Sequence, residues 1–308
     1  MTEPLISVVM PVRNEERFID QSLRSLRRQT LQAIEVLVID DGSTDSTTER
    51  LARHTREDAR VRVLDNPGDG LIDALHHGVE KSRSKLIARM DGDDIAAPGR
   101  LQRQLEELQR NPNAACLGTY GWRINERGVR IGRLINGPSS PQEFAQARAA
   151  KRPVHLTHPS VVFRRDAFDA VGGYDPAYHR AEDLRLFNDL AEQGEVYALP
   201  EALIRVRIRM TGASAASLEL QALQATRVGY EVAGGTRYAS PEAFVRELEQ
   251  CDPESLAEHH SGWKRNAAQR TLARAVANGQ VMLIARLIAD GGVGAGMVHR
   301  IARRALRG

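Results

Sequence analysis

Apolar positions along this chain follow two rhythms. Short aliphatic runs bounded by Gly, Asp or Asn alternate with segments whose apolar residues recur every three or four positions. The first kind reads as buried strands and the second as amphipathic helices. Over residues 1–110 the two alternate. Ile6 to Val12 is a strand, followed by a helix from Glu16 to Gln29 with Ile19, Leu23 and Leu26 on one face. Ile34 to Ile39 is the second strand, after which Ser43 or Asp45 is placed to cap a helix. Val61 to Leu64 is the third strand, Leu71 to Ser82 a helix and Leu86 to Met90 the fourth strand. Pro98 is placed to open a helix that runs to Arg110. This order predicts an α/β fold with a mainly parallel sheet and right-handed crossovers.

After Asn111-Pro112 the rhythm changes. Ala114 to Tyr120 and Val129 to Leu134 read as strands around the turn Asn125-Glu126-Arg127-Gly128. Pro141 to Ala150 is helical, Ser160 to Phe163 a short strand, and Asp183 to Gln193 a helix. Its buried face carries Leu184, Phe187, Leu190 and Ala191. Glu201 to Met210 is strand-like, and from Ser217 the pattern is helical with breaks at Gly234-Gly235 and from Gly291 to Gly296. The division expected is a catalytic unit over 1–215 and a helical extension over 216–308.

Composition narrows the class. The 42% hydrophobic content of the 308 residues supplies a substantial core, and no apolar run is long enough to span a membrane. Glu3 and Pro11 break the opening apolar stretch, unlike a signal peptide. Cys116 and Cys251 are far apart and unpatterned, as expected for a cytoplasmic protein without a thiolate metal site. The net charge of +3 hides an asymmetry: from His259 onward nine Lys or Arg face one acid, Asp290. Within that stretch Val298, Ile301, Ala302 and Ala305 oppose Arg300, Arg303, Arg304 and Arg307. Residues 297–308 therefore suit either packing on the domain or peripheral contact with an anionic membrane. With 5% aromatics and no recognised motif, nucleic acid is not an expected partner.

The chemistry concentrates where strands end. Ile34 to Ile39 leads into Asp40-Asp41-Gly42-Ser43-Thr44-Asp45, and Leu86 to Met90 into Asp91-Gly92-Asp93-Asp94. Ligands of open α/β sheets sit outside the carboxyl ends of the strands, so both acidic clusters are expected in one crevice. Crowded carboxylates repel unless a cation or hydrogen-bond donors hold them. Mg²⁺ or Mn²⁺ carrying a diphosphate suits such a site, since these ions take one or two carboxylates plus phosphate oxygens. The blander role of Asp and Gly here is a turn or helix cap. A calcium-binding EF-hand loop does not fit: counted from Asp91, position six is Ala96 and position twelve Gln102. Asp41 can accept from a base N–H or a ribose hydroxyl. Pro11-Val12-Arg13-Asn14-Glu15 after the first strand is neither a G-x-G-x-x-G loop nor a P-loop.

Two further groups stand out. Glu182 and Asp183 precede or open a helix, where the dipole alone favours acids, and where a general base for a hydroxyl can also sit. Arg205, Arg207 and Arg209 alternate with Ile204, Val206, Ile208 and Met210, which puts three guanidiniums on one face of a strand. That face is either a charged edge that discourages aggregation or a clamp for a diphosphate.

Taken together and in order, these segments resemble the family-2 inverting glycosyltransferases with the GT-A fold. The resemblance runs through ISVVMPVRNEERFIDQSLRSLRRQT, IEVLVIDDGSTDST, GLIDALHHGV, KLIARMDGDDIAAPGRLQRQ and THPSVVFRRDAFDAVGGYDPAYHRAEDLRLFNDLAEQG, about residues 5–210. It implies a nucleoside-diphosphate sugar donor, a UDP-sugar first among them, a Mn²⁺ or Mg²⁺ ion, and a glycan or lipid-linked acceptor. By position it implies that Pro11, Arg13, Asn14 and Glu15 line the nucleotide end. Asp41 then contacts the base, Asp91 the ribose or the metal shell, and Asp93 is the principal metal ligand. Asp183 becomes the catalytic base and Glu182 orients the acceptor.

Two departures from the family's pattern matter. A His stands in Leu75-His76-His77-Gly78 where the family often has Asn, and Arg209 stands where many members place a metal-binding His. Arg209, with Arg207, is therefore expected to neutralise the diphosphate directly. Two other readings compete. A sugar-nucleotide pyrophosphorylase would need a Gly-rich, Lys-containing loop after the first strand. A binding subunit without transfer activity would not need Asp93 and Asp183.

Overall fold

The computed structural model describes residues 3–209 and 218–251. Its elements are β1 (Ile6–Val12), α1 (Ile19–Arg27), β2 (Ile34–Asp40), α2 (Thr47–Glu57), β3 (Val61–Asp65), α3 (Leu71–Lys81), β4 (Leu86–Arg89), β5 (Ile95–Ala96) and α4 (Arg100–Arg110). Then come β6 (Ala114–Ile124), β7 (Arg130–Leu134), α5 (Pro141–Ala149), β8 (Val162–Arg164), α6 (Arg165–Ala170), α7 (Glu182–Leu190), β9 (Glu195–Arg207), α8 (Leu218–Val232) and α9 (Pro241–Cys251). Among the described residues no helix is long and apolar enough to cross a membrane.

The strands form one mixed sheet in the order β3-β2-β1-β4-β8-β6-β9-β5, with β7 paired to β6. β3, β2, β1 and β4 are parallel, as the alternating pattern predicts. β8 enters antiparallel between β4 and β6, so β6 and its parallel neighbour β9 run the same way as β1. β1, β2, β3, β4, β6 and β9 therefore deliver their carboxyl ends to the same side of the sheet, where the acids after β2 and β4 lie. Every residue of β1 and β2 is buried, which explains their unbroken apolar runs.

Helices cover both faces. Ile6, Val8 and Met10 of β1 pack with Ile19, Leu23 and Leu26 of α1 and Leu101, Leu105 and Leu108 of α4. Val9, on the opposite face, packs with Leu75 and Val79 of α3 and with Leu186, Phe187 and Leu190 of α7. Gly78 of α3 lies so close to β1 that a Cβ would overlap Val9 Cγ1.

The sequence pattern misses or misplaces several elements. β5 is two residues long, too short to carry a period. β6 continues past Tyr120 to Ile124, and β9 starts at Glu195 rather than Glu201, running through Pro200 with register shifts against β6. Six-residue α6 is shorter than two helical turns and follows β8 directly. Pro98 does not open α4, which begins at Arg100 after the Pro98-Gly99 turn. The expected boundary at 215 and the amphipathic stretch 297–308 lie outside the described residues. α8 is not a detached appendage, however: its Val228 packs with Tyr178, Ala181 and Leu184 around the start of α7.

Candidate active site

The two acid-bearing strand ends are built differently. At the end of β1 the chain turns at Asn14 with φ +56°, a conformation that Asn tolerates better than most residues. Asn14 Oδ1 accepts from Thr44 N–H at 2.7 Å, and Asn14 N–H donates to Ser43 Oγ at 3.0 Å. Asp45 accepts from the N–H groups of Thr47 (2.9 Å) and Glu16 (3.2 Å), so Asp45 rather than Ser43 stitches the start of α2. Asp40 accepts from Ser43 N–H and Thr48 Oγ1. Most of the Asp40–Asp45 cluster is therefore spent on loop structure.

Asp41 is the member that bonds to the segment between β3 and α3. Its Oδ1 accepts from Asn66 Nδ2 at 2.6 Å and Gly70 N–H at 2.9 Å. Its Oδ2 has only a 3.4 Å contact with Arg13, whose side chain is largely exposed. Pro11 is buried within β1, paired opposite Ile39.

At the end of β4, Asp91, Asp93 and Asp94 each place a carboxylate oxygen within 4.8 Å of the others. Burial, then the charge of Asp91, raises the Asp93 carboxyl above its ordinary range. Asp94 is raised well above it by complete burial and by Asp93. Asp94 Oδ1 accepts from Arg207 N–H at 2.8 Å, while its buried Oδ2 has no hydrogen-bond partner among the described residues. Glu15 faces the same cluster: burial, reinforced by Asp93, pushes its carboxyl up to about 7. A Cβ on Gly92 would press against the Val12 and Glu15 side chains, so this loop passes close to the end of β1. Three crowded oxygens, with a buried lone oxygen among them, fit a hard divalent cation such as Mg²⁺ or Mn²⁺.

Arg209 offsets part of this repulsion. Its Nη1 donates to Glu15 Oε1 at 2.6 Å and to Asp93 Oδ2 at 3.3 Å. Arg207 is spent otherwise: its guanidinium donates to the carbonyls of Asp93, Asn125 and Glu126 and to Gln21 Oε1, all between 2.9 and 3.1 Å. Both guanidiniums lie over the Phe18 ring, at 4.3 Å for Arg207 and 5.3 Å for Arg209. Arg205 does not join them; it is exposed two residues before the strand ends.

The third acidic pair opens α7. Glu182 is buried and Asp183 half-buried, following Arg180 at φ +78°. Burial, then the Asp183 charge, pushes the Glu182 carboxyl up to about 7. Leu184 N–H donates to Asp183 Oδ1 at 2.7 Å.

Arg89, which the sequence reading passed over, carries a charge felt by Glu182 as well as by the β4 acids. It is buried and ion-paired with Asp91. Burial opposes its charge, but Asp91, Tyr174 and Asp94 together raise its pKa. Glu182 feels Arg89 in turn, and Tyr174 feels Arg89, Asp183 and Glu182. Tyr174 also shares a 2.8 Å hydrogen bond with buried His158, which desolvation and Arg89 keep far below its ordinary pKa and therefore neutral. The signal was present: a lone Arg inside the apolar run LIARM needs a buried acid. Arg100 braces the same strand end, donating to the carbonyls of Arg89 at 2.8 Å and Val161 at 3.4 Å.

With this geometry stand three likenesses to known proteins. A Haemophilus influenzae protein named an uncharacterized glycosyltransferase is 29% identical over 214 residues, which cover 67% of this chain and 66% of that protein. The amylovoran biosynthesis glycosyltransferase AmsE of Erwinia amylovora is 31% identical over 209 residues, covering 66% of this chain and 76% of that protein. The chain thus spans about two thirds to three quarters of these relatives' length. The mannosyltransferase PcManGT from Pyrobaculum calidifontis, solved in complex with GDP-Man and Mn²⁺, matches with a TM-score of 0.60 at 16% identity. That match covers 100% of this chain and 87% of the other, and it shows a shared GT-A fold. A family model described as Glycosyl transferase family 2 matches residues 7–172, more than half of the chain. The matched span opens in β1, takes in the acids that follow β2 and β4, and closes just after α6, so the chain belongs to glycosyl transferase family 2.

Proposed function

We propose that this protein transfers a sugar from a nucleoside-diphosphate sugar to an acceptor hydroxyl with inversion, in the assembly of a surface polysaccharide or glycolipid. The observation that carries the reading is the cluster of Asp91, Asp93 and Asp94 after β4, with Glu15 and Arg209 set against it. Buried Arg89, ion-paired with Asp91, also carries a charge that Glu182 at the start of α7 feels.

Asp91, Asp93 and Asp94 would hold a Mn²⁺ or Mg²⁺ ion. When bound, such an ion supplies Lewis-acid stabilisation of the leaving diphosphate. Arg209 lies against the same acids and adds a guanidinium suited to phosphate oxygens. Asp41, Arg13 and Asn14 receive the nucleoside at the exit of β1 and β2. Asp183 removes the proton from the acceptor hydroxyl as that oxygen attacks the anomeric carbon, and the diphosphate departs from the opposite face. Glu182, whose burial beside Asp183 favours its protonated form, orients the acceptor. No covalent enzyme intermediate forms, so one displacement inverts the anomeric centre. Holding both reactants in line contributes by proximity.

The acceptor fits a glycan or lipid-linked precursor. The excess of basic residues after His259 supports peripheral contact with an anionic membrane. Deleting 297–308 should then reduce co-sedimentation with phosphatidylglycerol vesicles.

A thermal-shift panel of UDP-glucose, UDP-N-acetylglucosamine, GDP-mannose and a dTDP-sugar, with and without Mn²⁺, tests the donor reading. One nucleotide family should raise Tm. A ligand at ~100 times its Kd stabilises by about 2.7 kcal/mol. No shift with any nucleotide would refute the donor site. Asp183→Asn should keep that shift while transfer falls roughly 10²-fold or more, the scale of a lost general base. Normal turnover by Asp183→Asn would remove the base assignment.

A further inference from the structure

The Glu182–Asp183 pair does not hold itself in place. It follows the 3₁₀ turn Pro176–Tyr178 and the positive-φ residue Arg180. A backbone in that conformation costs free energy and persists only when its surroundings fix it. Here those surroundings come from α8, some 45 residues further along the chain.

Gln224 Nε2 donates to the Ala177 carbonyl at 3.1 Å and to the His179 carbonyl at 3.4 Å. Arg227, with no exposed surface, donates from Nη1 to the same Ala177 carbonyl at 2.9 Å and lies 3.9 Å from the centre of the Tyr178 ring. Tyr178 is itself fully buried, and its hydroxyl donates to Glu231 at 2.7 Å. Glu231 reaches the other flank as well: it accepts from Arg185 Nη1 of α7 at 3.0 Å and from Arg227 Nε at 3.2 Å. Arg185 is closed by Asp189, and Arg237 pairs with Asp175 at 2.8 Å, so the cluster's charges are matched. Val228 packs on Ala181, the residue that immediately precedes the acids, and on Leu184, which immediately follows them.

From this we infer that α8 is part of the catalytic unit. Gln224, Arg227 and Glu231 are positioning residues that hold the 176–185 segment, and with it the acids at 182 and 183, in register with the β4 cluster. They touch neither donor nor acceptor; they act through the backbone of residues 177–181 and through Arg185. This rests on the proposed roles of Glu182 and Asp183. Its consequence is that losing the clamp leaves donor binding intact and lowers turnover. A misplacement of about 1 Å in a catalytic group costs on the order of 10²-fold in rate.

The test uses the full chain carrying Arg227→Met, Gln224→Met or Asp183→Asn. Amide exchange of peptides over 176–186 and over β1–β2 is followed by mass spectrometry. Release of UDP or GDP from the sugar nucleotide selected by the thermal-shift panel is followed with water as acceptor. Arg227→Met should speed exchange over 176–186 roughly tenfold or more with β1–β2 unchanged, the signature of local rather than global opening. The kcat for release should fall roughly 10- to 100-fold, with donor KM within about twofold. If Arg227→Met fails to fold, Gln224→Met, which removes the bonds to the Ala177 and His179 carbonyls and the one Gln224 Oε1 accepts from Arg227, carries the test with the same expected split. Unchanged exchange and kcat in these variants, with Asp183→Asn inactive, overturns the clamp alone. Full activity of Asp183→Asn overturns the catalytic roles of the pair, and the positioning role with them.

Discussion

Arg209 is a resident cation in a site suited to a divalent one, so the two should compete. The perturbation is Arg209→Met, which keeps much of the stem that packs on Phe18 and removes the guanidinium. In the wild type, Arg209 Nη1 lies 3.3 Å from Asp93 Oδ2 and 2.6 Å from Glu15 Oε1. At an effective dielectric of ~20, unit charges 3.3 Å apart attract by about 5 kcal/mol. The side chains of Arg209 and Asp93 retain 20% and 16% exposure, so solvent screens part of this. Roughly 2 kcal/mol is a reasonable net for drawing Asp93 away from Arg209. Any cation that takes Asp93 must first meet that cost.

At about 1.4 kcal/mol per decade, removing Arg209 should tighten Mn²⁺ binding on the order of 30-fold. Isothermal titration of the nucleotide-free protein with MnCl₂ at pH 8 measures this directly, without any turnover. The order should reverse for UDP or GDP in the presence of chelator, where Arg209→Met binds more weakly because a phosphate partner is gone. Equal or weaker Mn²⁺ binding by Arg209→Met would refute the competition and leave Arg209 as a structural counter-ion.

Three further outcomes follow from the packing and the buried charges. Glu182 has a folded-state pKa near 7 against an ordinary 4.5, so the folded protein holds this proton more tightly than the unfolded chain. Its ionisation therefore destabilises the fold progressively as pH rises from about 4.5 to 7. Glu182→Gln, with no proton to lose, should be better tolerated at pH 8 than at pH 5, by about 2–3 kcal/mol of relative stability in urea unfolding; the same difference at both pH values would contradict this. Gly78→Ala should cost about 1–2 kcal/mol, because the overlap of the new Cβ with Val9 outweighs the roughly 1 kcal/mol gain in helix propensity; a Tm at or above wild type would show that α3 shifts freely. Burial pushes the Cys116 thiol far up, so in a Cys251→Ser background Ellman's reagent should label it only after denaturation; labelling of the native protein within minutes would place Cys116 nearer the surface than it stands here.

The parallel half of the sheet was readable because burial on both faces removes the alternation that otherwise makes short strands ambiguous. Ile6 to Val12 and Ile34 to Ile39 carry no polar interruption other than Ser7 and Glu35, and the structure pairs these two with each other at 2.6 Å. The acids after β2 and β4 were readable for a related reason. A strand that must end at a ligand crevice ends on residues that do not belong in a core. The antiparallel half gave less. β9 spans thirteen residues through Pro200, and its order between β6 and β5 is decided by pairings with residues some 80–110 positions away.

The site shows the same division between local and distant causes. Residue type and spacing singled out Asp93, Asp183 and Arg209 as candidates, since each follows from what a strand or helix end can present. They did not disclose what each touches. Arg209 meets Glu15 across 194 residues of sequence, and Arg227 meets Ala177 across 50. Buried charges need partners, so a buried Arg announces that an acid or a set of carbonyls must exist without saying where. Arg89 was overlooked because an Arg at the end of an apolar strand also reads as the strand's exit to solvent. Its near-complete burial against Asp91 decides between those readings. With Arg89 removed, Asp91 would lose a buried counter-charge. The proposed catalytic unit is therefore defined less by the acids at its strand ends than by the three arginines, 89, 209 and 227, that pair with those acids or brace the segment before them.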